Sequence, residues 1–296
     1  MVRAVNRVSL EVGAGETLAL IGESGCGKTT LARTAARLYA PSGGTILYRG
    51  DDVGRLRGAA LRPFRRGVQM IFQDPYGSLD PRMSVGAIIE EPLRIHDLGA
   101  PRARRQRVAE VMTAVGLRPE QANSFPHQFS GGQRQRIGIA RALAPEPRLI
   151  IADEPVSALD VSIQSQILNL MRGLGRDHGL AYLFISHDLA VVDFIADRVA
   201  VMYLGAIVEI GARAGLVTRP RHPYTQALRA AVPVPGRGKR RSGDALAGDV
   251  PDPSRPPRGC PFHPRCPKAA EVCRAANPEL DPVPGAPDHQ VACHFK

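Results

Sequence analysis

The chain of 296 residues contains no tryptophan and only 5% aromatic residues. Stacking platforms of the kind single-strand binders use are therefore poorly supplied. No apolar run approaches the ~18–20 residues of a membrane-spanning helix, so the chain does not cross a bilayer by itself. The opening Met1-Val2-Arg3-Ala4-Val5-Asn6 lacks the apolar stretch of a secretory signal, and the expected compartment is the cytoplasm. Acidic residues are in deficit: 28 Asp+Glu against 39 Lys+Arg leave a net charge of +11. That balance favours phosphate ligands, nucleic acid or an anionic membrane surface, and a merely arginine-rich composition explains it equally well. With 44% hydrophobic and 23% charged residues, global disorder is excluded.

Cysteine is almost absent from the first 230 residues, where Cys26 stands alone. The other four, Cys260, Cys266, Cys273 and Cys293, share the C-terminal stretch with 13 of the 26 prolines. This predicts one globular body over residues 1–230, then a Pro-rich linker with a small Cys-rich extension over 231–296. Arg237-Gly238-Lys239-Arg240-Arg241 reads as solvated linker rather than a lipid or nucleic-acid patch.

The body alternates short apolar runs with helical patterns. Residues 17–21, 68–72, 148–152 and 180–185 read as strands, 29–38 and 84–116 as helices, the latter interrupted around Pro101. Residues 199–202 and 206–210 read as a terminal hairpin. Strands followed by helices predict an α/β sheet with crossovers.

Gly22-Glu23-Ser24-Gly25-Cys26-Gly27-Lys28-Thr29 fits the P-loop pattern, and it lies where that pattern must lie, between a strand and a helix. Its amides and the helix N-terminus suit phosphate, Lys28 the β- and γ-phosphates, and Thr29 the Mg²⁺ of a nucleotide, with Thr30 beside it. Cys26 fills a variable position of the loop. The strand at 148–152 runs into Asp153 and Glu154, a metal-side acid and a carboxylate free to polarise water, which strand alternation would send to opposite sides. Ser130-Gly131-Gly132-Gln133 opens a helical pattern and forms a second candidate anion nest, 102 residues beyond Lys28.

In this order the segments resemble the nucleotide-binding subunit of ABC transporters, over residues 15 to about 210. Phe129-Ser130-Gly131-Gly132-Gln133 is similar to the family's signature, with Phe in place of the commoner Leu. Gln73 resembles the Q-loop glutamine, Ser157-Ala158-Leu159-Asp160 the D-loop, and His187 the switch histidine. The resemblance implies a P-loop NTPase fold with a helical subdomain at about 75–145. It implies ATP and Mg²⁺ as ligands, Mg²⁺ on Thr29, Gln73 and Asp153, and catalysis by Glu154, His187 and Gln73. Ser130, Gly131, Gly132, Gln133 and Asp160 would act in trans, in a head-to-tail dimer. Glu23, Asp74 and Asp188 read outside this scheme as loop and capping residues.

Phe72-Gln73-Asp74-Pro75-Tyr76-Gly77-Ser78-Leu79-Asp80-Pro81-Arg82, Pro126-His127-Gln128 before the signature, and His222-Pro223-Tyr224-Thr225-Gln226-Ala227-Leu228 narrow the resemblance to the oligopeptide/dipeptide importer branch, which nickel and some sugar or opine importers share. The implied partners are a second, related ATPase subunit, two membrane permease subunits and an extracytoplasmic peptide-binding protein, with no nucleic acid. The implied location is the cytoplasmic face of a bacterial cell membrane. The rival class, a soluble ABC ATPase acting on nucleic acid or ribosomes, lacks support from a second cassette or a long coiled coil.

The thiols Cys260-x5-Cys266-x6-Cys273-x19-Cys293 could hold one zinc or a 4Fe–4S cluster. Paired C-x2-C knuckles are missing, which weighs against a zinc ribbon. The branch resemblance implies 4Fe–4S; zinc, with His263 or His294 substituting, and no stable metal are the alternatives. Against the family pattern, no aromatic precedes Tyr39 to stack on adenine, and an N-terminal strand is missing. The expectation is that the native start lies upstream of Met1.

Overall fold

The residues of β1 (Thr17–Ile21) are buried throughout, the mark of an interior strand. The protein's structure is a computed structural model that describes residues 2–74, 76–231 and 248–296. Met1, Pro75 and the basic stretch 237–241 lie outside the described residues. After β1 come α1 (Lys28–Ala35), β2 (Leu47–Tyr48), β3 (Asp51–Asp52), α2 (Arg62–Gly67), β4 (Val68–Ile71), α3 (Val85–Ile95), α4 (Pro101–Ala114) and α5 (Gly131–Leu143). Then follow β5 (Leu149–Asp153), α6 (Val161–His178), β6 (Ala181–Ser186), α7 (Leu189–Ile195) and the hairpin β7 (Arg198–Tyr203) with β8 (Ala206–Ala212). The chain continues through α8 (Arg213–Thr218) and α9 (Pro223–Ala230) to α10 (Glu271–Ala275), β9 (Asp281–Val283) and β10 (Ala286–Val291).

These elements form two compact units. One holds the described residues of Met1–Val12, Glu16–Leu31 and Ile185–Lys296, the other Gly13–Gly15 and Ala32–Phe184.

In the first unit the strands are ordered β1-β7-β8-β10-β9. β1 runs parallel to β7, with Leu18 opposite Arg198 and Ile21 opposite Val201. β7 and β8 are antiparallel, and β10 adds antiparallel to β8, Val291 opposite Glu209. The expected terminal hairpin is thus an interior pair, covered by strands from the Cys-rich extension. Nothing in residues 286–291 reads as a strand, because Pro287 and the polar run Asp288-His289-Gln290 suppress the apolar alternation. The core of this unit joins Ile21, Val201, Tyr203 and Tyr224 to Cys260, Phe262 and Cys273. The extension therefore shares a core with the strand that feeds the P-loop.

In the second unit β4 and β5 are parallel, Ile71 opposite Ala152, and β6 neighbours β5. The helical pattern over 84–116 is two helices. Ser84 caps α3 by accepting the Ala87 N–H at 3.3 Å, and Pro101 opens α4, where its missing N–H costs nothing. Val85, Ile88, Ile89 and Leu93 form the buried stripe of α3.

α1 stops at Ala35, short of the expected 38. Arg37 has a φ of 55°, and its guanidinium donates to the carbonyls of Val53 (2.9 Å) and Leu56 (2.8 Å). Those tertiary bonds turn the backbone out of the helix where periodicity alone would continue it.

Candidate nucleotide-binding site

The P-loop closes around its own lysine. Lys28, 5% exposed, donates Nζ to the carbonyls of Gly22 (2.8 Å) and Glu23 (3.0 Å). Gly25 and Gly27 take φ of 79° and 108°, the left-handed side that side chains resist. A Cβ on Gly27 would also strike the carbonyl oxygen of Ala4. The Leu31 N–H meets the Gly27 carbonyl at 2.9 Å, so helical bonding begins inside the motif and leaves the α1 N-terminus facing the loop.

Cys26 is buried, and burial pushes its thiol up, so it is a neutral filler beside Lys28. Its carbonyl accepts the Gly205 N–H at 2.8 Å, tying the loop to the β7–β8 turn. His187 is exposed between β6 and α7. Asp188 caps α7 through the Ala190 N–H (2.7 Å), as the sequence reading expected.

In the second unit Asp153 ends β5 at 2% exposure. Glu154 lies outside the strand with a φ of 47°. The expectation that strand alternation sets its direction is corrected here: a left-handed backbone aims it, a conformation that costs energy for a non-glycine residue. Its Oε2 accepts from Gln73 Nε2 at 3.1 Å. Two sequence-predicted residues are thus brought together. Asp74 makes a local turn, accepting the Tyr76 N–H at 2.8 Å.

The signature segment is a capping box. Ser130 Oγ accepts the Gln133 N–H at 3.3 Å, and Gln133 Oε1 accepts the Ser130 N–H at 3.0 Å. The amides of Ser130 and Gln133 are therefore committed within α5, which narrows the anion nest to Gly131 and Gly132. Gly132 is buried against α6, where a Cβ would come within 2.5 Å of Ile163. Asp160 caps α6 at the Ile163 N–H (3.0 Å), and the Ser162 hydroxyl holds its carboxyl below the usual range.

The segment after the core has a clear physical role. His222 caps α9, its Nδ1 accepting the Tyr224 N–H at 3.1 Å, and Pro223 takes the first helical position. Tyr224 reaches the P-loop, where its hydroxyl accepts the Glu23 N–H at 2.7 Å. Below it, the fully buried Glu209 accepts the N–H groups of Arg221 (2.7 Å) and His222 (3.0 Å) and contacts His289 Nε2 at 2.7 Å. The reading of Glu23 as a mere loop residue is corrected too: Arg265 of the extension grips its carboxylate with both nitrogens, at 2.7 and 3.0 Å. Sequence reasoning missed Glu209 and Arg265. Glu209 lies 80 residues from His289 and Arg265 lies 242 residues from Glu23, and no local pattern marks either.

The oxygen donors of Thr29, Gln73 and Asp153 are hard ligands of the kind Mg²⁺ takes. The extension is different. Burial first, then neighbouring thiols, raises Cys260 and Cys266, so the cysteines share one neighbourhood. Yet among the described residues no group of three or more His, Cys, Asp or Glu side chains is arranged to hold a metal ion. The expected cluster on Cys260, Cys266, Cys273 and Cys293 has no assembled ligand set among the described residues; Cys260 and Cys273 lie in the apolar core of the first unit, with Cys266 packed against it.

With this geometry, comparison with known proteins gives a consistent answer. The family model for ABC transporters matches residues 5–157. The chain belongs to that family of ATP-binding proteins and has its α/β ATPase cassette fold. A second model, the C-terminal region of oligopeptide/dipeptide transporters, matches residues 208–273. The chain is 54% identical over 296 residues to the "Probable peptide ABC transporter ATP-binding protein y4tS" of Sinorhizobium fredii, covering 100% of this chain and 83% of that one. It is 52% identical over 297 residues to the oligopeptide transport ATP-binding protein AppF of Bacillus subtilis, covering 99% and 90%. A solved dimeric ATP-binding cassette in a post-hydrolysis state, bound to ADP and Pi, superposes with a TM-score of 0.65 at 31% identity, covering 71% of this chain and 90% of that one. Among the described residues no helix is long and apolar enough to cross a membrane.

Proposed function

We propose that this chain is the ATP-hydrolysing, energy-coupling subunit of a bacterial ABC importer for oligopeptides or dipeptides. The observation that carries the reading is the Gln73–Glu154 contact directly after Asp153, at the ends of parallel strands. The peptide cargo rests on the names of the relatives and on the matched C-terminal region.

In this reading the loop amides other than that of Glu23, which the Tyr224 hydroxyl takes, hold the phosphates with Lys28, Thr29 and Thr30. Thr29, Gln73 and Asp153 would hold Mg²⁺, which would supply charge neutralisation for the phosphates. Glu154 takes a proton from the attacking water while Gln73 orients both, and His187 steadies the charge developing on the γ-phosphate. Ser130, Gly131, Gly132, Gln133 and Asp160 serve the nucleotide of a partner ATPase, most simply a related but different chain. The ATPase domain spans 1–230, and its helical part at about 75–145 offers a groove to two membrane permease subunits. An extracytoplasmic peptide-binding protein delivers the cargo. The chain then works at the cytoplasmic face of the membrane, without nucleic acid.

No metal is built into the reading of the 231–296 extension. Iron, acid-labile sulfide and zinc counts on anaerobically purified protein test it. About four iron and four sulfide would replace the packing account with a cluster.

The whole reading is tested by co-purifying the chain with the permeases encoded beside it, reconstituting them in liposomes, and measuring ATP hydrolysis with and without peptide-loaded binding protein. Stimulation by loaded binding protein is the expected result. Stimulation by ribosomes or DNA instead would move the chain to the soluble class of ABC ATPases.

A further inference from the structure

Every polar group of Glu23 is held from within the first unit. Its N–H donates to the Tyr224 hydroxyl (2.7 Å), and its carbonyl accepts from Lys28 Nζ (3.0 Å). Its carboxylate is forked by Arg265 (2.7 and 3.0 Å). The Arg265 side chain is 5% exposed, with its guanidinium carbon 6.0 Å from the centre of the Tyr203 ring. It stands at the end of the short turn His263–Arg265, directly after Phe262. Phe262 is buried against Tyr203 (ring centres 5.3 Å apart), Tyr224 (5.5 Å) and His222 (5.5 Å). The extension is therefore anchored by an aromatic cluster and sets a cation, Arg265, on the second residue of the P-loop.

An ion pair this desolvated is not stabilising by default, because removing two charges from water offsets their attraction. Its location gives it a different consequence. An unpaired carboxylate on Glu23 would repel a triphosphate held by the same loop, across a medium poorer in screening than water. Arg265 neutralises that charge and, through its planar fork, fixes the side chain and with it the carbonyl that Lys28 uses.

We propose that Arg265 is a positioning residue for nucleotide binding: the Cys-rich extension sets the charge and shape of the P-loop through Glu23. The proposal rests on the reading that ATP binds at this loop. It gives the extension a task in the ATPase itself, independent of any metal.

Calorimetric titration of the full chain with Mg-ATP tests it. Arg265→Ala should weaken binding about tenfold, the scale of a coupled charge contact. Adding Glu23→Gln to that variant removes the stranded carboxylate and should restore affinity to within about twofold of wild type. A purely structural role for Arg265 would leave the double variant as weak as the single one, and that result overturns the proposal, as does wild-type affinity in Arg265→Ala. If Arg265→Ala loses its melting transition, Arg265→Lys decides. A lysine keeps the charge without the fork, so about threefold weakening is expected and unchanged affinity overturns the idea. Lys28→Ala is the control for the site: if it binds like wild type, the nucleotide reading falls and the proposal with it.

Discussion

Gln73 and Glu154, 81 residues apart, are joined side chain to side chain at 3.1 Å. The sheet register explains the meeting. Ile71 pairs with Ala152 on parallel strands, and each functional residue comes two positions later. Chains leaving the carboxyl ends of neighbouring parallel strands open the crevice where α/β proteins bind ligands. The left-handed backbone at Glu154 then turns its carboxylate toward Gln73.

Glu154→Gln keeps an oxygen for the Gln73 amide but no longer accepts a proton. Mg-ATP binding should stay within about twofold of wild type while single-turnover phosphate release falls by about 10²–10⁴. Near-wild-type release would remove Glu154 from the proton-accepting role.

The contact of Gly132 with Ile163 makes a sharp case for the signature helix. Gly132→Ala places a Cβ 2.5 Å from an Ile163 methyl, so the Ile163 side chain or the packing of α5 on α6 must shift. Overpacking of this kind costs about 1–3 kcal/mol, read by urea unfolding. The double variant with Ile163→Ala should recover part of that loss; no recovery would place the strain elsewhere.

Burial lowers the pKa of His222 from 6.5 to about 4. Above the unfolded value both states carry a neutral ring and the stability is full. Between about 6.5 and about 4 only the unfolded chain takes the proton, so stability falls as pH drops through that window. Below about 4 the folded ring protonates too and the loss levels off. At about pH 5 the loss is about 2 kcal/mol. His222→Asn keeps a capping side chain without titrating. Its unfolding free energy should fall less than that of wild type between about pH 7.5 and about pH 5, by about 2 kcal/mol. Parallel pH profiles for the two chains would contradict this.

Glu209→Ala strands the N–H groups of Arg221 and His222 and leaves His289 without its carboxylate. Removing one side of such a buried polar network costs about 3–5 kcal/mol. Because β10 pairs with β8 at Glu209, proteolysis should release the extension first. A variant as stable and as resistant as wild type would show that the network contributes nothing.

Local chemistry made much of the site legible. The P-loop, the Asp153-Glu154 pair and the Ser-Gly-Gly start of α5 each need particular residues at fixed short spacings, and the structure has each between the expected elements. Pro101 and Ser84 marked helix starts by their backbone chemistry alone. The strands of the extension were not legible, because Pro287 and polar neighbours hide them. The end of α1 was hidden for a different reason: carbonyls of residues 53 and 56 decide where Arg37 goes.

What the sequence determined by itself was the kind of machine, since phosphate-binding turns and strand-end carboxylates are written in contiguous residues. What only tertiary structure decided was how the last fifty residues relate to it. The fork of Arg265 on Glu23, the Tyr224 hydroxyl on the loop and the buried Glu209 each join residues far apart in the chain. A charge becomes a clamp only when folding removes water from it and supplies a partner, and neither condition is local to the residues that carry it.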